Sequence, residues 1–401
     1  MPGHGPTHRR DRLYATPNVP RPASMMAVSK GIFSFSHIAT ELKHRDLLDV
    51  FLTSYPRRRA VSSGAPADST RGYPAVEILV RAGNRVPSNY LRDRLTLFAR
   101  RRLAARACSH LAANPSVTHV IAGGLLGESL AERAHSVGAK FVVDRGAAHP
   151  RVQRDLLREA YAKYGEEYAG ISDFLIEVMD REYEIADLLI VPSYFVKRSL
   201  LESGVNPHKI SVVGRGVDFA RFHNMNLTRT PGKVLQIGAS IQKGALDAID
   251  AVRMLEDTNI KLVIVGGVEP LVRDYLGARP TARVDLRGPI SRERLSLEMN
   301  TASILLQPSI QDGFSVTAAQ GAACGLPVIA STNCGFSDEI EDGVSGFIVP
   351  PGNPSVLAER IAFCTSDEDR RSEMGQRSEL NARQRLSWGS VGDRMVAALL
   401  A

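Results

Sequence analysis

Residues 307–320 read QPSIQDGFSVTAAQ and run directly into GAACGLPVIA at 321–330. An apolar run, Ile304–Leu306, precedes this stretch, and its length and branched side chains predict a buried strand ending near Gln307. A polar loop carrying Asp312 and Gly313 follows. A helix of small residues then begins near Ser315, and Gly325-Leu326-Pro327 is a glycine C-cap signal followed by proline. Pro327–Ala330 predicts the next strand. Strand, loop, helix, strand is the parallel crossover unit. The free N–H groups and positive dipole end of its helix favour a phosphate, and the small residues from Ser315 to Ala319 let a ligand approach the backbone.

The same alternation extends in both directions. Apolar runs at Val50–Thr53, Val76–Val80, His119–Ala122, Phe141–Val143, Leu188–Val191 and Ile210–Val213 predict strands on the N-terminal side, after a first strand-like run directly behind Met25 and Met26. Val234–Ile237, Lys261–Val265 and Gly346–Val349 predict the others. Helical spacing lies between many of them: in Gly244–Glu256, Ala245, Ala248, Ile249, Val252 and Leu255 fall on one face. Repeated β–α alternation predicts α/β architecture with two doubly wound, Rossmann-like domains. The rhythm breaks at GRGVDFARFHNMNLTRTPG (214–232), placing the interdomain linker there. The expected organisation is an N-terminal extension over 1–24, a first domain over 25–214, a linker over 215–232, a second domain over 233–385 and a closing helix over 386–401. The extension holds few apolar residues and several prolines, which predicts disorder. The Ser/Gly/Pro-rich piece Ser62–Tyr73 predicts a mobile loop.

Ligands of open parallel sheets bind beyond the carboxyl ends of the strands. A second loop of interest is GASIQKG (238–244), which follows Val234–Ile237. Its Lys243 stands at a helix start beside backbone amides, where it would neutralise a diphosphate, or else it is a solvated surface lysine.

Taken together, these pieces resemble the nucleotide-sugar glycosyltransferases of the GT-B fold, specifically glycosyltransferase family 4. The family carries Glu-Gly-Phe-Gly, a second Glu eight positions after the first, then Ala-x-Gly-x-Pro-Val. The resemblance covers most of residues 25–400 and is clearest from 185 to 352. VPSYFVKRSLLESGV (191–205), ISVVGRGVDFARF (210–222) and GFSDEIEDGVSGFIV (335–349) match it in order and spacing. Carried over, Asp312 would hold donor-sugar hydroxyls and Gln320 the nucleotide ribose. Both depart from the family's Glu, Asp312 by one methylene and Gln320 by its charge. Gly238, Lys243, Gly313, Phe314, Ser315, Val316 and Thr317 would surround the diphosphate and sugar. The family's Arg after the first glycine falls on Ala239. Gly288, Pro289 and Ile290 would meet the nucleobase, although a turn before a helix capped by Ser291 explains the same residues. Gly31, in the loop after the first strand, would approach the donor phosphate across the crevice. His149 matches a histidine that sits by the reacting sugar, with Arg145 as the neighbour that sets this acceptor loop or touches an acceptor phosphate. A histidine before Pro150 also suits a purely structural bond.

The 401 residues suggest two or three domains at about 150 each. The chain is 44% hydrophobic and 23% charged, which excludes a disordered protein or a disulfide scaffold. No apolar run approaches spanning length. Four cysteines form no CxxC pair or zinc spacing, which points to a reduced, cytoplasmic setting. The net charge is +7 and the isoelectric point is near 9.3, favouring anionic partners. Residues 81–107 alone hold eight arginines and one aspartate. Leu91, Leu95, Phe98 and Leu103 with Arg92, Arg94, Arg100–Arg102 and Arg106 predict a basic amphipathic helix over 89–107. It is either a surface for anionic lipid or a solvated face. It lacks the interleaved aromatics of a nucleic-acid platform. AGGLLG (122–127) imitates a dinucleotide fingerprint, but Ala122 stands where the first glycine belongs, so nicotinamide binding is not expected.

The resemblance implies a retaining, metal-independent hexosyltransferase without cofactor. It would move sugar from a UDP-, GDP- or ADP-linked donor to a glycan or lipid-linked acceptor, in cell-surface polysaccharide or glycolipid synthesis. A non-catalytic nucleotide-sugar-binding protein and a sugar-nucleotide epimerase are the alternatives.

Overall fold

The computed structural model describes residues 23–83, 89–168, 170–256 and 259–401. The expected disordered extension lies, up to residue 22, outside the described residues.

Among the described residues thirteen strands form two sheets, all parallel. The first contains Met25–Ser29 (β1), Leu48–Thr53 (β2), Thr70–Gly72 (β3), His119–Gly123 (β4), Lys140–Asp144 (β5), Leu188–Val191 (β6) and Ile210–Val212 (β7), in the order β3-β2-β1-β4-β5-β6-β7. The second contains Lys233–Ala239 (β8), Lys261–Val268 (β9), Val284–Arg287 (β10), Ile304–Gln307 (β11), Val328–Ser331 (β12) and Gly346–Val349 (β13), in the order β10-β9-β8-β11-β12-β13. Both sheets are doubly wound. Chain order reverses between β1 and β4 in one and between β8 and β11 in the other, and these switch points are where such sheets open a crevice.

Helices cover both faces of each sheet. In β1 every residue is buried, and alternate side chains serve opposite layers. Met26 and Val28 pack with Leu97, Leu103 and Leu111 of the helix Asn89–Ala113. Met25 and Ala27 pack with Ile38 and Leu42 of the helix Phe33–His44 and with Val391, Met395 and Leu399 of the last helix, Trp388–Leu400. The last helix therefore lies on the first domain. Its Trp388 ring stacks on His37 at 4.5 Å, Asp393 pairs with Arg45 at 2.5 Å, and the Leu399 carbonyl lies 2.9 Å from His119 Nε2. Burying a stripe of large side chains contributes about 1.5–3 kcal/mol for each fully buried residue.

Two local expectations differ from the structure, and one strand was not foreseen. Val76–Val80 is not a strand but part of the helix Pro74–Gly83. Proline suits the first helical position, and Val76 and Val80, four apart, turn inward while Ile78 is exposed. The edge strand comes instead from Thr70–Gly72, inside the segment expected to be a mobile loop. There a Cβ on Gly72 would strike the Tyr55 carbonyl. β10 was hidden by its half-exposed composition.

The basic helix is real, but it is oriented differently. Leu91 and Phe98 are exposed, Leu97 and Leu103 are buried, and Arg100 turns inward to donate to the Gly124 carbonyl. Residues 84–88 of the basic segment lie outside the described residues.

Candidate active site

The two switch points face each other and enclose a crevice of about 500 Å³. Ser29, Lys30 and Gly31 after β1 and Gly123 and Gly124 after β4 line one wall. Asp312, Phe314, Ser315 and Val316 after β11 line the other. The domains are held together around it. Ser193 Oγ donates to the Gly313 carbonyl at 2.7 Å, and the Tyr194 N–H donates to Asp338 Oδ2 at 2.7 Å. Tyr161 OH donates to Glu269, whose other oxygen accepts the Ile241 N–H at 2.9 Å. Gly313 touches the first domain so closely that a Cβ there would meet the Gly146 carbonyl and the Ala147 Cα.

On the second-domain wall, Lys243 Nζ pairs with Asp312 Oδ2 at 2.5 Å. The two residues come from loops after adjacent strands. Gly244 makes the approach possible: it caps the helix Ala245–Met254 with φ 68°, and a Cβ would strike the Pro308 carbonyl. Gly238, φ 92°, lies against the Lys243 side chain. Asp312 Oδ1 accepts the Ser315 N–H at 3.1 Å, which closes the loop onto the helix Val316–Ala323. Ser315 caps that helix through Oγ, accepting the Ala318 N–H at 3.3 Å, in the left-handed conformation with φ 64°. The resembled family has glycine at this position, and the strain of a side chain there is of order 1–3 kcal/mol. The first-turn amides of Val316 and Thr317 have no acceptor within their own helix. Gln320, half-buried, lies one turn beyond Val316 on the same face. Ile290 packs on the same apolar cluster as Ile237 and Val316, so the 288–290 loop borders the donor loops, with Gly288 and Pro289 exposed. Ser291 does cap the following helix.

Several contributors escaped sequence reasoning. Gln307 is fully buried, donates to Ser309 Oγ at 2.8 Å and accepts from Thr317 Oγ1 at 3.3 Å, bracing the Asp312 loop. An amide closing an otherwise apolar strand was its available signal. Gln242 braces the neighbouring loop by donating to the Gln311 side chain at 3.1 Å. Ala239 itself is fully buried in the second core.

The first-domain wall is built from long-range partners. Glu182, fully buried, accepts the N–H groups of Leu125, Leu126 and Gly127 at 2.7, 2.9 and 3.1 Å. Burial pushes its carboxyl up, and those three N–H groups oppose the shift. The glycine-rich loop that imitated a dinucleotide site therefore has its amides occupied by a carboxylate of its own chain. Asp144, at the end of β5, pairs with Arg215 in the linker; burial raises the carboxyl and Arg215 lowers it. Gly31 lines the crevice, and a Cβ there would meet nothing nearer than Ser29 Oγ at 3.9 Å.

His149 does not reach this crevice. It is 1% exposed, its Nε2 lies 2.8 Å from Asp180, and its Nδ1 accepts the Arg151 N–H at 3.3 Å as cap of the helix Pro150–Ala162. Burial lowers its pKa although Asp180 pulls it up. Both ring nitrogens are committed, so the expected contact with a sugar is corrected to a structural role. Arg145 donates to the Ala148 carbonyl and so sets the loop.

The comparisons with known proteins agree with this geometry. Residues 221–381 match the family Glycosyl transferases group 1. The fold is GT-B. Anabaena HepE in complex with UDP and glucose superimposes with a TM-score of 0.67 over 94% of this chain and all of that one, at 15% identity. Among curated relatives, an uncharacterized glycosyltransferase of Methanocaldococcus jannaschii is 28% identical over 204 residues, 51% of this chain and 56% of that protein. The putative colanic acid biosynthesis glycosyltransferase WcaL of Salmonella typhimurium is 25% identical over 259 residues, 61% of each chain. The chain thus spans a little over half the length of these relatives. In GT-B terms the Lys243–Asp312 wall belongs to the second domain. Among the described residues no helix is long and apolar enough to cross a membrane.

Proposed function

We propose that the protein transfers a hexosyl group from a nucleotide-diphosphate sugar to a glycan or lipid-linked acceptor, with retention and without a bound metal. The observation that carries this reading is the Lys243–Asp312 pair beside the open amides of the Val316–Ala323 helix. A diphosphate entering the crevice offers Lys243 a stronger partner than one carboxylate and frees Asp312 for sugar hydroxyls. Lys243 and the Val316 and Thr317 amides then stabilise the charge that grows on the leaving diphosphate, where such donors contribute most. The departing oxygen takes the acceptor proton, so no strong general base is required. Gln320 binds the ribose diol, Gly288–Ile290 border the base, and Gly31 leaves room for the phosphate opposite. HepE, crystallised with UDP and glucose, supports the donor class.

The acceptor approaches from the first domain, on the cytoplasmic side of a membrane. There the outer face of the Asn89–Ala113 helix carries exposed Leu91, Phe98, Arg101 and Arg102, a surface suited to anionic lipid in peripheral contact. Neutralising Arg101 and Arg102 should reduce sedimentation with anionic vesicles.

The decisive test is nucleoside-diphosphate release from UDP-, GDP- and ADP-sugars. One donor class should be turned over slowly without acceptor, and Lys243→Ala should lower that rate by about 100-fold or more. Equal rates in a folded variant would overturn the assignment.

A further inference from the structure

The crevice carries more positive charge than the donor reading uses. Of its lining groups, Arg215 is neutralised by Asp144. Asp312 is neutralised by Lys243. Two cations remain, Lys30 and Arg100. They come from separate elements, the loop after β1 and the middle of the Asn89–Ala113 helix, and both belong to the first domain.

Lys30 is held by its backbone, since its carbonyl accepts Ser54 Oγ at 2.6 Å, and its ammonium forms no ion pair among the described residues. The acid nearest in charge terms, Glu77, is bound by Arg81 at 3.0 Å and by Ser54 Oγ at 3.2 Å. Arg100 spends one nitrogen on the Gly124 carbonyl, and its buried Nε has no partner. The fields of Glu182 and Arg145 act on it in opposite directions. Partial burial and the Arg100 charge both lower the Lys30 pKa while Glu77 opposes them, as expected for two cations lining one crevice.

A half-buried lysine without an ion pair and a buried guanidinium nitrogen without a hydrogen-bond partner both favour an anionic ligand. We propose that Lys30 and Arg100 form a subsite for a phosphate group carried by the acceptor, an inference that rests on the glycosyl-transfer reading. The donor diphosphate has Lys243 and the helix amides on the opposite wall and takes from the β1 loop only the open backbone at Gly31, whereas the Lys30 side chain and Arg100, on the helix beside Gly124, are left for a second anion. An arginine beside a lysine is a suitable phosphate-binding combination.

The test titrates inorganic phosphate and glycerol 3-phosphate, with glycerol as the neutral control, by calorimetry. Using Lys243→Ala protein removes the donor-side cation and makes the measurement independent of nucleotide. The two phosphates should bind and glycerol should not. Adding Lys30→Gln, or Lys30→Gln with Arg100→Gln, should weaken phosphate binding about tenfold or more. Lys30→Gln alone keeps every hydrogen bond that holds Arg100, so a folding defect in the double variant does not hide the result.

A parallel titration of UDP, GDP and ADP uses otherwise wild-type protein with and without Lys30→Gln. It should change less than threefold. No phosphate binding, or phosphate binding indifferent to both substitutions, overturns the subsite. A loss of nucleotide affinity in Lys30→Gln larger than its loss of phosphate affinity assigns the cations to the donor and also overturns it. If no nucleotide binds the unmutated chain, the donor reading fails separately, while the phosphate arm still reports on this subsite.

Discussion

The two walls of the crevice sit at equivalent places in two similar sheets, yet they are built by different means. The second-domain wall is made of two local loop-and-helix units tied by one long-range pair, Lys243–Asp312. Asp312 bonds the Ser315 N–H, Ser315 caps its own helix, and Gly244 lets Lys243 reach across from the adjacent strand end. The first-domain wall is assembled from residues far apart: Glu182 holds the 125–127 amides and Arg215 holds Asp144. A site built locally leaves a motif in the sequence. A site built by distant partners does not.

Substitutions can break or sharpen that contrast. The largest effect is expected from Glu182→Ala, which leaves three buried N–H groups unpaired and Arg100 and Arg145 facing one another. Denaturant unfolding should show a loss of about 3–4 kcal/mol, with nucleotide affinity on the opposite wall nearly unchanged. Gly313→Ala comes next, because its Cβ collides with the Gly146 backbone and forces the walls apart. Donor turnover should fall about 30-fold, a readout of how far catalysis needs both walls in register.

Asp247 lies where the domains meet, at a small void shared with Lys163 and Tyr164. Burial pushes its carboxyl up to about 6, and Lys163 only partly opposes this. The folded chain therefore holds this proton more tightly than the unfolded chain, so stability falls as pH rises from about 4 through about 6. Asp247→Asn should melt higher than the parent at pH 8, by about 2 kcal/mol, and match it at pH 4. The smallest effect is expected from Ser315→Gly. It relieves a left-handed side-chain residue and loses a cap worth a few tenths of a kcal/mol relative to glycine. The net gain should be about 0.5–1 kcal/mol by thermal unfolding.

Legibility followed the same division. The strands after residue 115, β10 excepted, were readable because buried parallel strands are short branched runs. Val76–Val80 was misread because an equally short apolar run fits a helix when only two of its residues turn inward. The loops after β8 and β11 were readable as turns into helices from glycine, proline and small residues at fixed spacing. His149 was misassigned because the partner that occupies its ring, Asp180, is 31 residues away. Arg100 looked like one of several surface arginines, since a run of three arginines does not show which one faces a neighbouring loop.

By itself the sequence determined the alternation of strand and helix, the two-domain division and the phosphate-seeking loops of the second domain. These depend on local periodicity, turn chemistry and the absence of side chains where backbones must approach. Only the tertiary structure decided which charges are spent and which remain. Asp144 and Asp312 pair with Arg215 and Lys243, Glu182 is spent on three backbone N–H groups, and among the described residues Lys30 and Arg100 line the crevice without an ion pair. Charge pairing is a matter of distance in space, and chain order carries little of it.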